Sequence, residues 1–306
     1  MVSGFFCNFA FRAHATGPVY PVNQQDPIPQ EMEHTPGKIG IFDSGYGGLT
    51  ILNGIRGRLP QYDYLYLGDN ARAPYGTRSF DIVFDFTRQA VEELFSRGCH
   101  LVILACNTAS AKALRSIQQQ VLPDRYPGRR VLGVIRPTVE AVGSISVSRH
   151  IGLLATPGTV RSHSYRMEIE KLYPEMKITE TACPMWVPLI ETGEAGNDGA
   201  DYFVKKYIDT VMESDPEIDT LVLGCTHYPL LLPKIRRFAP EGVRIIAQGE
   251  IVGASLADYL RRHPEIDRLC TRGGDTEYLT TENAESFDSL ASLFMHADIR
   301  SSRITL

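Results

Sequence analysis

Short runs of consecutive apolar residues recur along this chain, separated by stretches whose apolar positions fall every three to four residues. The runs at 38–42, 62–67, 101–105, 131–135, 151–155, 178–181 and 221–224 read as strands. The spacing between them predicts helices over 49–58, 80–96, 109–120, 161–172, 201–213 and 233–238. Ser79 suits the N-cap of the second of these, whose Phe80, Val83, Thr87, Val91 and Leu94 share one face. Near the C-terminus, Phe287, Leu290, Ala291 and Phe294 make another helical face, suited to core packing. Strands written as unbroken apolar runs and joined through helices belong to parallel sheets covered on both faces. The fold class is therefore α/β.

The order of parts also repeats. "IGIFDSGYGGLT" at 39–50 and "IGLLATPGTVRS" at 151–162 are each a strand entering a Gly-containing turn. Each is followed at similar distance by an apolar strand ending in cysteine: "LVILACNTAS" from 101 and "LVLGCTHYP" from 221. This predicts two similar lobes related by an approximate two-fold axis, each a mostly parallel sheet flanked by helices. Ligands of open α/β sheets bind beyond the C-terminal strand ends. Two such lobes facing one another would place Cys106 and Cys225 on opposite walls of one cleft. The expected division is an extension at 1–37, a first lobe at 38–133 plus 245–306, and a second lobe at 134–244. The extension is Pro-rich and aperiodic, with Asn8 and Arg12 interrupting a short apolar run that lacks a basic start, so it reads as flexible rather than as a signal peptide.

Composition narrows the classes. With 306 residues, 43% hydrophobic and 22% charged, the chain has the make-up of a globular protein. A net charge of −5 gives no general attraction to nucleic acid. No apolar stretch approaches the length of a membrane span, and a cytoplasmic location is expected. The six cysteines are scattered without a C-x-x-C pair, which speaks against a disulfide framework or a zinc site.

The two strand-end cysteines carry the chemistry. A helix N-terminus after each would favour a thiolate, and Asn107-Thr108 and Thr226-His227 supply donors for a small carboxylate. One thiol can take a proton from a carbon and a second, across the cleft, can return one to the other face. A Cys–His hydrolase using Cys106 and His227 would leave Cys225 without a task. "DSGYGG" is neither a P-loop nor a dinucleotide fingerprint, and its Asp43 would repel a phosphate.

"GIFDSGYGGLT", "GDNARAPYG", "ACNTASA", "ACPMWVPLIETG" and "LGCTHYPLL" occur in the order seen in the aspartate/glutamate racemase superfamily, and the chain resembles its glutamate racemases over about residues 38–300. The resemblance implies cofactor-independent interconversion of L- and D-glutamate, supplying D-glutamate for peptidoglycan, with no metal, and a homodimer. It places the catalytic thiols at Cys106 and Cys225, with Asp43, Glu191 and His227 as auxiliary acids and base. It places substrate contacts at Asp43, Ser44, Tyr75, Gly76, Asn107, Thr108, Thr226 and His227. It also assigns Cys106 to D-glutamate and Cys225 to L-glutamate. Tyr46 stands where many members carry a small aliphatic residue, "VIRPTVEA" at 134–141 departs from the usual run, and "AQGEIVG" at 247–253 lacks a common Asp-Ser. A racemase of aspartate or another amino acid, a redox protein pairing Cys106 with Cys225, and an amino-acid-binding module remain open on the sequence.

Overall fold

The computed structural model describes residues 35–295 and 297–306. Expectations for residues 1–34 fall outside these. Two sheets form, and every strand pairing within them is parallel. The first contains β1 (Ile39–Asp43), β2 (Tyr64–Gly68), β3 (Leu101–Leu104) and β4 (Arg130–Gly133). The second contains β5 (His150–Ala155), β6 (Lys177–Ala182), β7 (Thr220–Gly224) and β8 (Arg244–Ile246). The chain then adds β9 (Thr276–Thr280) and β10 (Ser301–Arg303) to the first sheet. The orders are β10-β9-β2-β1-β3-β4 and β6-β5-β7-β8. The segment β2-β1-β3-β4 therefore repeats as β6-β5-β7-β8, so the two halves share one winding. β3 and β7, the strands that end in cysteine, hold equivalent places.

β1, β2, β3 and β7 are buried at every position, which is why they read as unbroken apolar runs. The first sheet is covered on one face by helices Gly48–Arg58, Gly249–Arg262 and Ala284–Met295, and on the other by helix Phe80–Ser96. Helices Ile135–Ile145 and Ser164–Leu172 cover one face of the second sheet, and helix Asp198–Ser214 the other. Helices Gly48–Arg58 and Gly249–Arg262 cross at Gly54, where any Cβ would collide with the Gly249 backbone.

Several expectations need correction. Val134 and Ile135 leave β4 and start a helix instead. The helix expected over 109–120 begins two residues earlier, at Asn107, ends at Lys112, and gives way to a π-turn at Ile117–Val121. The helix expected over 161–172 is split by His163, whose φ of 53° breaks the helical path. Ser79 does cap Phe80–Ser96, accepting from Ile82 N at 3.4 Å, but Phe80 at its first turn is exposed with its ring facing Lys112 Nζ at 5.0 Å. The boundary expected at 244/245 runs through β8, which pairs with β7, so the second sheet extends to Ile246. Residues 35–37 are not free of the core either. Thr35 O lies 2.8 Å from His100 Nε2, and Gly37 bridges to Cys270.

Candidate active site

Residues following β1, β2 and β3 of the first sheet line the cleft. β3 runs into Ala105 and Cys106, and Cys106 caps helix Asn107–Lys112 in an extended conformation. Its Sγ accepts from Ala109 N at 3.4 Å, as a serine cap would, and lies 3.4 Å from Ser44 Oγ just past β1. The Cys106 thiol is pushed up to about 12 by burial, with the Asp43 charge adding, while the donors from Ser44 and Ala109 pull the other way. Cys106 therefore rests protonated at neutral pH.

Asp43, the last residue of β1, is fully buried behind Ser44 rather than on the cleft wall. Its Oδ2 accepts from Gly45 N at 3.0 Å, and its Oδ1 accepts from Thr226 Oγ1 of the other lobe at 3.4 Å. Burial raises its pKa, against the opposing pull of His227 and the local donors.

The second thiol is built differently. After β7, Cys225 enters a tight turn (Tyr228 N to Cys225 O, 3.2 Å) and the short 3-10 helix Tyr228–Leu231. The symmetric expectation of an α-helix N-terminus at each sulfur thus fails at Cys225. Its partner is a side chain instead: His227 Nδ1 lies 3.9 Å from Cys225 Sγ. His227 Nε2 faces Glu191 Oε1 at 3.0 Å, from the last residue of helix Trp186–Glu191. Burial, the largest influence, pulls the His227 pKa down, but Cys225 and Glu191 together outweigh it and hold the ring at about 10. The ring stays an imidazolium through neutral pH. The Phe294 ring meets it edge-on, 6.3 Å away.

Both sulfurs line one cleft of about 80 Å³, together with Ser44, Glu191, Thr226 and His227. Tyr75, Gly76, Asn107 and Thr108 lie along the same wall. Tyr75 turns its hydroxyl away to Asp69, and its ring packs on Phe42 and Phe86. A Cβ on Gly76 would sit 2.9 Å from Thr156 Cβ across the cleft. Thr108 Oγ1 meets Thr156 Oγ1 at 3.0 Å and Thr159 Oγ1 at 3.4 Å. The sequence reading did not single out Thr156, nor a third thiol lining this cleft, Cys183. Thr156 was visible as the N-cap of the repeated turn after β5. Among the described residues all five cysteines are free thiols, and no cluster of three or more His, Cys, Asp or Glu is arranged to hold a metal. None of the described helices is long and apolar enough to cross a membrane.

Residues 50–253 match the Asp/Glu/Hydantoin racemase family. A glutamate racemase of Ruegeria sp. (strain TM1040) is 41% identical over 271 residues, covering 85% of this chain and 97% of that protein. Glutamate racemase isoform RacE1 from Bacillus anthracis superposes with a TM-score of 0.80 at 31% identity, covering 90% of this chain and 98% of that one. The glutamate racemase from Francisella tularensis, solved in complex with D-glutamate, superposes with a TM-score of 0.77 at 29% identity over 89% and 98%. With its two sheets wound alike and its motifs in one cleft, the chain belongs to the glutamate racemases of the Asp/Glu/Hydantoin racemase family.

Proposed function

We propose that the chain interconverts L- and D-glutamate by two proton transfers, one at each sulfur. The observation that carries this is the placement of Cys106 and Cys225 at equivalent strand ends of two identically ordered sheets, on one cleft. The α-proton of an amino acid is far less acidic than a thiol, so the cleft must stabilise a carbanion-like transition state with fixed donors. The first-turn N–H groups at Asn107 and Thr108 lack intrahelical partners and face the mouth of β3. Ser44 and Thr226 add hydroxyls on the cleft wall. We assign these groups to the substrate carboxylates, with Tyr75 and Gly76 shaping the wall. Closure between the lobes excludes water and holds each sulfur against its own face of the α-carbon.

The two thiols have unequal surroundings, and this sets a resting state. Cys106 waits as a thiol, ready to donate. Conversion of L- to D-glutamate needs Cys225 as base, and the His227 imidazolium faces that sulfur while Glu191 holds the ring. Asp43 tunes Cys106 from behind and ties Thr226 across the cleft. The reaction needs no group beyond these side chains. We place the protein in the cytoplasm as a homodimer feeding D-glutamate to peptidoglycan, its first lobe formed by 38–133 with the segment after 246.

Circular dichroism of purified protein mixed with each enantiomer of glutamate and of aspartate tests the substrate. Ellipticity decaying to zero from either glutamate, with exchange of the α-proton in deuterated water, is expected. Inertness toward glutamate, or faster decay with aspartate, overturns it.

A further inference from the structure

Asn107 follows Cys106 directly, yet its side chain does not point its amide at the cleft. Asn107 Nδ2 donates to Gln248 Oε1 at 2.6 Å, and Gln248 Nε2 donates back to Asn107 Oδ1 at 3.3 Å. Tyr165 OH donates to the same Oδ1 at 2.7 Å, while Gln248 Nε2 also reaches Tyr165 OH at 2.9 Å and Thr138 Oγ1 at 2.8 Å. All four residues are buried, none more than 2% exposed. A buried polar group left unpaired is costly, so such a network holds its members to one arrangement.

The four residues come from four segments. Asn107 opens the helix that Cys106 caps, whereas Thr138 and Tyr165 sit on helices packed against the second sheet. Gln248 caps helix Gly249–Arg262, which is seated backbone to backbone on helix Gly48–Arg58 of the first lobe. It lies just past β8, where the chain crosses back between the lobes. None of the four hydrogen-bonds to Cys225, Thr226 or His227 among the described residues.

We propose that Gln248 is a positioning residue: its reciprocal amide pair with Asn107 locks the first turn behind Cys106 to the second lobe, fixing that sulfur and its neighbouring N–H groups on the substrate. The proposal rests on the two-thiol reading, in which each sulfur serves one enantiomer. At equilibrium constant unity, kcat/KM for racemisation must fall equally in both directions, so racemisation rates cannot reveal a defect on one side. Single deprotonations can. A glutamate analogue with a leaving group at Cβ loses it after one proton transfer, and Cys225→Ser identifies the enantiomer that Cys106 attacks.

Gln248→Leu removes every hydrogen bond made by the Gln248 amide, and Tyr165→Phe removes one donor to Asn107. Each is assayed for elimination from both analogue enantiomers, with thermal melting beside it. Small displacements of a reacting group cost up to about a hundredfold, so Gln248→Leu should slow elimination from the Cys106 enantiomer about tenfold or more. Elimination from the other enantiomer should stay within about twofold, because none of the four hydrogen-bonds to Cys225, Thr226 or His227 among the described residues. Tyr165→Phe should show the same bias with a smaller loss, and it carries the test if Gln248→Leu does not fold. If the cysteine variants divide the enantiomers but both clasp variants slow the two alike, or slow neither, the clasp is refuted and the two-thiol reading stands. If the cysteine variants fail to divide the enantiomers, the two-thiol reading falls and takes the clasp with it.

Discussion

His227 stands between two acids: Nδ1 lies 3.9 Å from Cys225 Sγ and Nε2 lies 3.0 Å from Glu191 Oε1. Burial alone would strip the ring of its proton, and these partners reverse that, holding it at about 10. Because the folded value lies above the unfolded reference of about 6.5, the stabilisation from the charged ring is complete below that reference. It is lost as pH rises through about 10. Racemisation, in both directions alike, should therefore hold through neutral pH and fall along an alkaline limb near 10. Glu191→Gln removes one of the ring's two acidic partners, so the limb should move to lower pH. NMR titration of the His227 ring in both proteins checks this, and an unmoved ring would contradict the assignment.

A methyl group at Gly47 would run into Thr226 Oγ1 and His227 Nδ1. The Gly47 backbone is α-helical, with φ of −59°, so alanine strains nothing locally. Gly47→Ala should cost activity by displacing His227, with less effect on melting. At Gly57, toward the other end of the same helix, an added methyl group would meet nothing within 4 Å. Gly57→Ala should therefore stabilise the protein by about 0.5–1 kcal/mol without loss of activity. Steady-state kinetics and thermal denaturation of the pair separate the two effects.

Two truncations test the start of the fold. Removing residues 1–34 should leave melting and activity as they are, since the racemase motifs all lie beyond it. Removing residues 1–37 also deletes the Thr35 contact with His100 and the hydrogen bonds of Gly37 N to Leu269 O and Thr271 N to Gly37 O. At about 1 kcal/mol per bond, the longer truncation should melt measurably lower. Equal melting of the two would show that this bridge adds nothing.

What could be read from the sequence was what burial writes locally. β1, β3, β5 and β7 are apolar at almost every position because they are covered on both faces, and the two cysteines stand out at the ends of two of them. β8 and β10 were not legible: each is three residues long at a sheet edge, and "SSR" has no apolar pattern. Their pairing is fixed by neighbours, not by their own composition. The turn after Cys225 was not legible either, because a cysteine at a strand end reads the same before a helix or a 3-10 turn. The clasp joins residues 141 positions apart, Asn107 and Gln248, so only the departure at "AQGEIVG" pointed to it.

The sharpest test of the site is the division of labour between the thiols. A serine hydroxyl is too weak a base to replace a thiolate, though it can still give up a proton. Cys106→Ser and Cys225→Ser should each abolish racemisation of glutamate, to below about a thousandth of the parent rate. Neither should be destabilised heavily, since serine keeps the volume and, at position 106, the cap on Ala109 N. With the β-leaving-group analogue each variant should keep one enantiomer: Cys106→Ser the L form, Cys225→Ser the D form. The surroundings also predict a pH dependence for Cys106. Cys106, pushed up to about 12 by burial, rests as the donor, so the reaction it must start, on the D analogue, should accelerate as pH rises toward that value. A flat profile for Cys225→Ser on the D analogue would mean that Cys106 is not held as a buried thiol, contrary to its surroundings at Ser44 and Asp43.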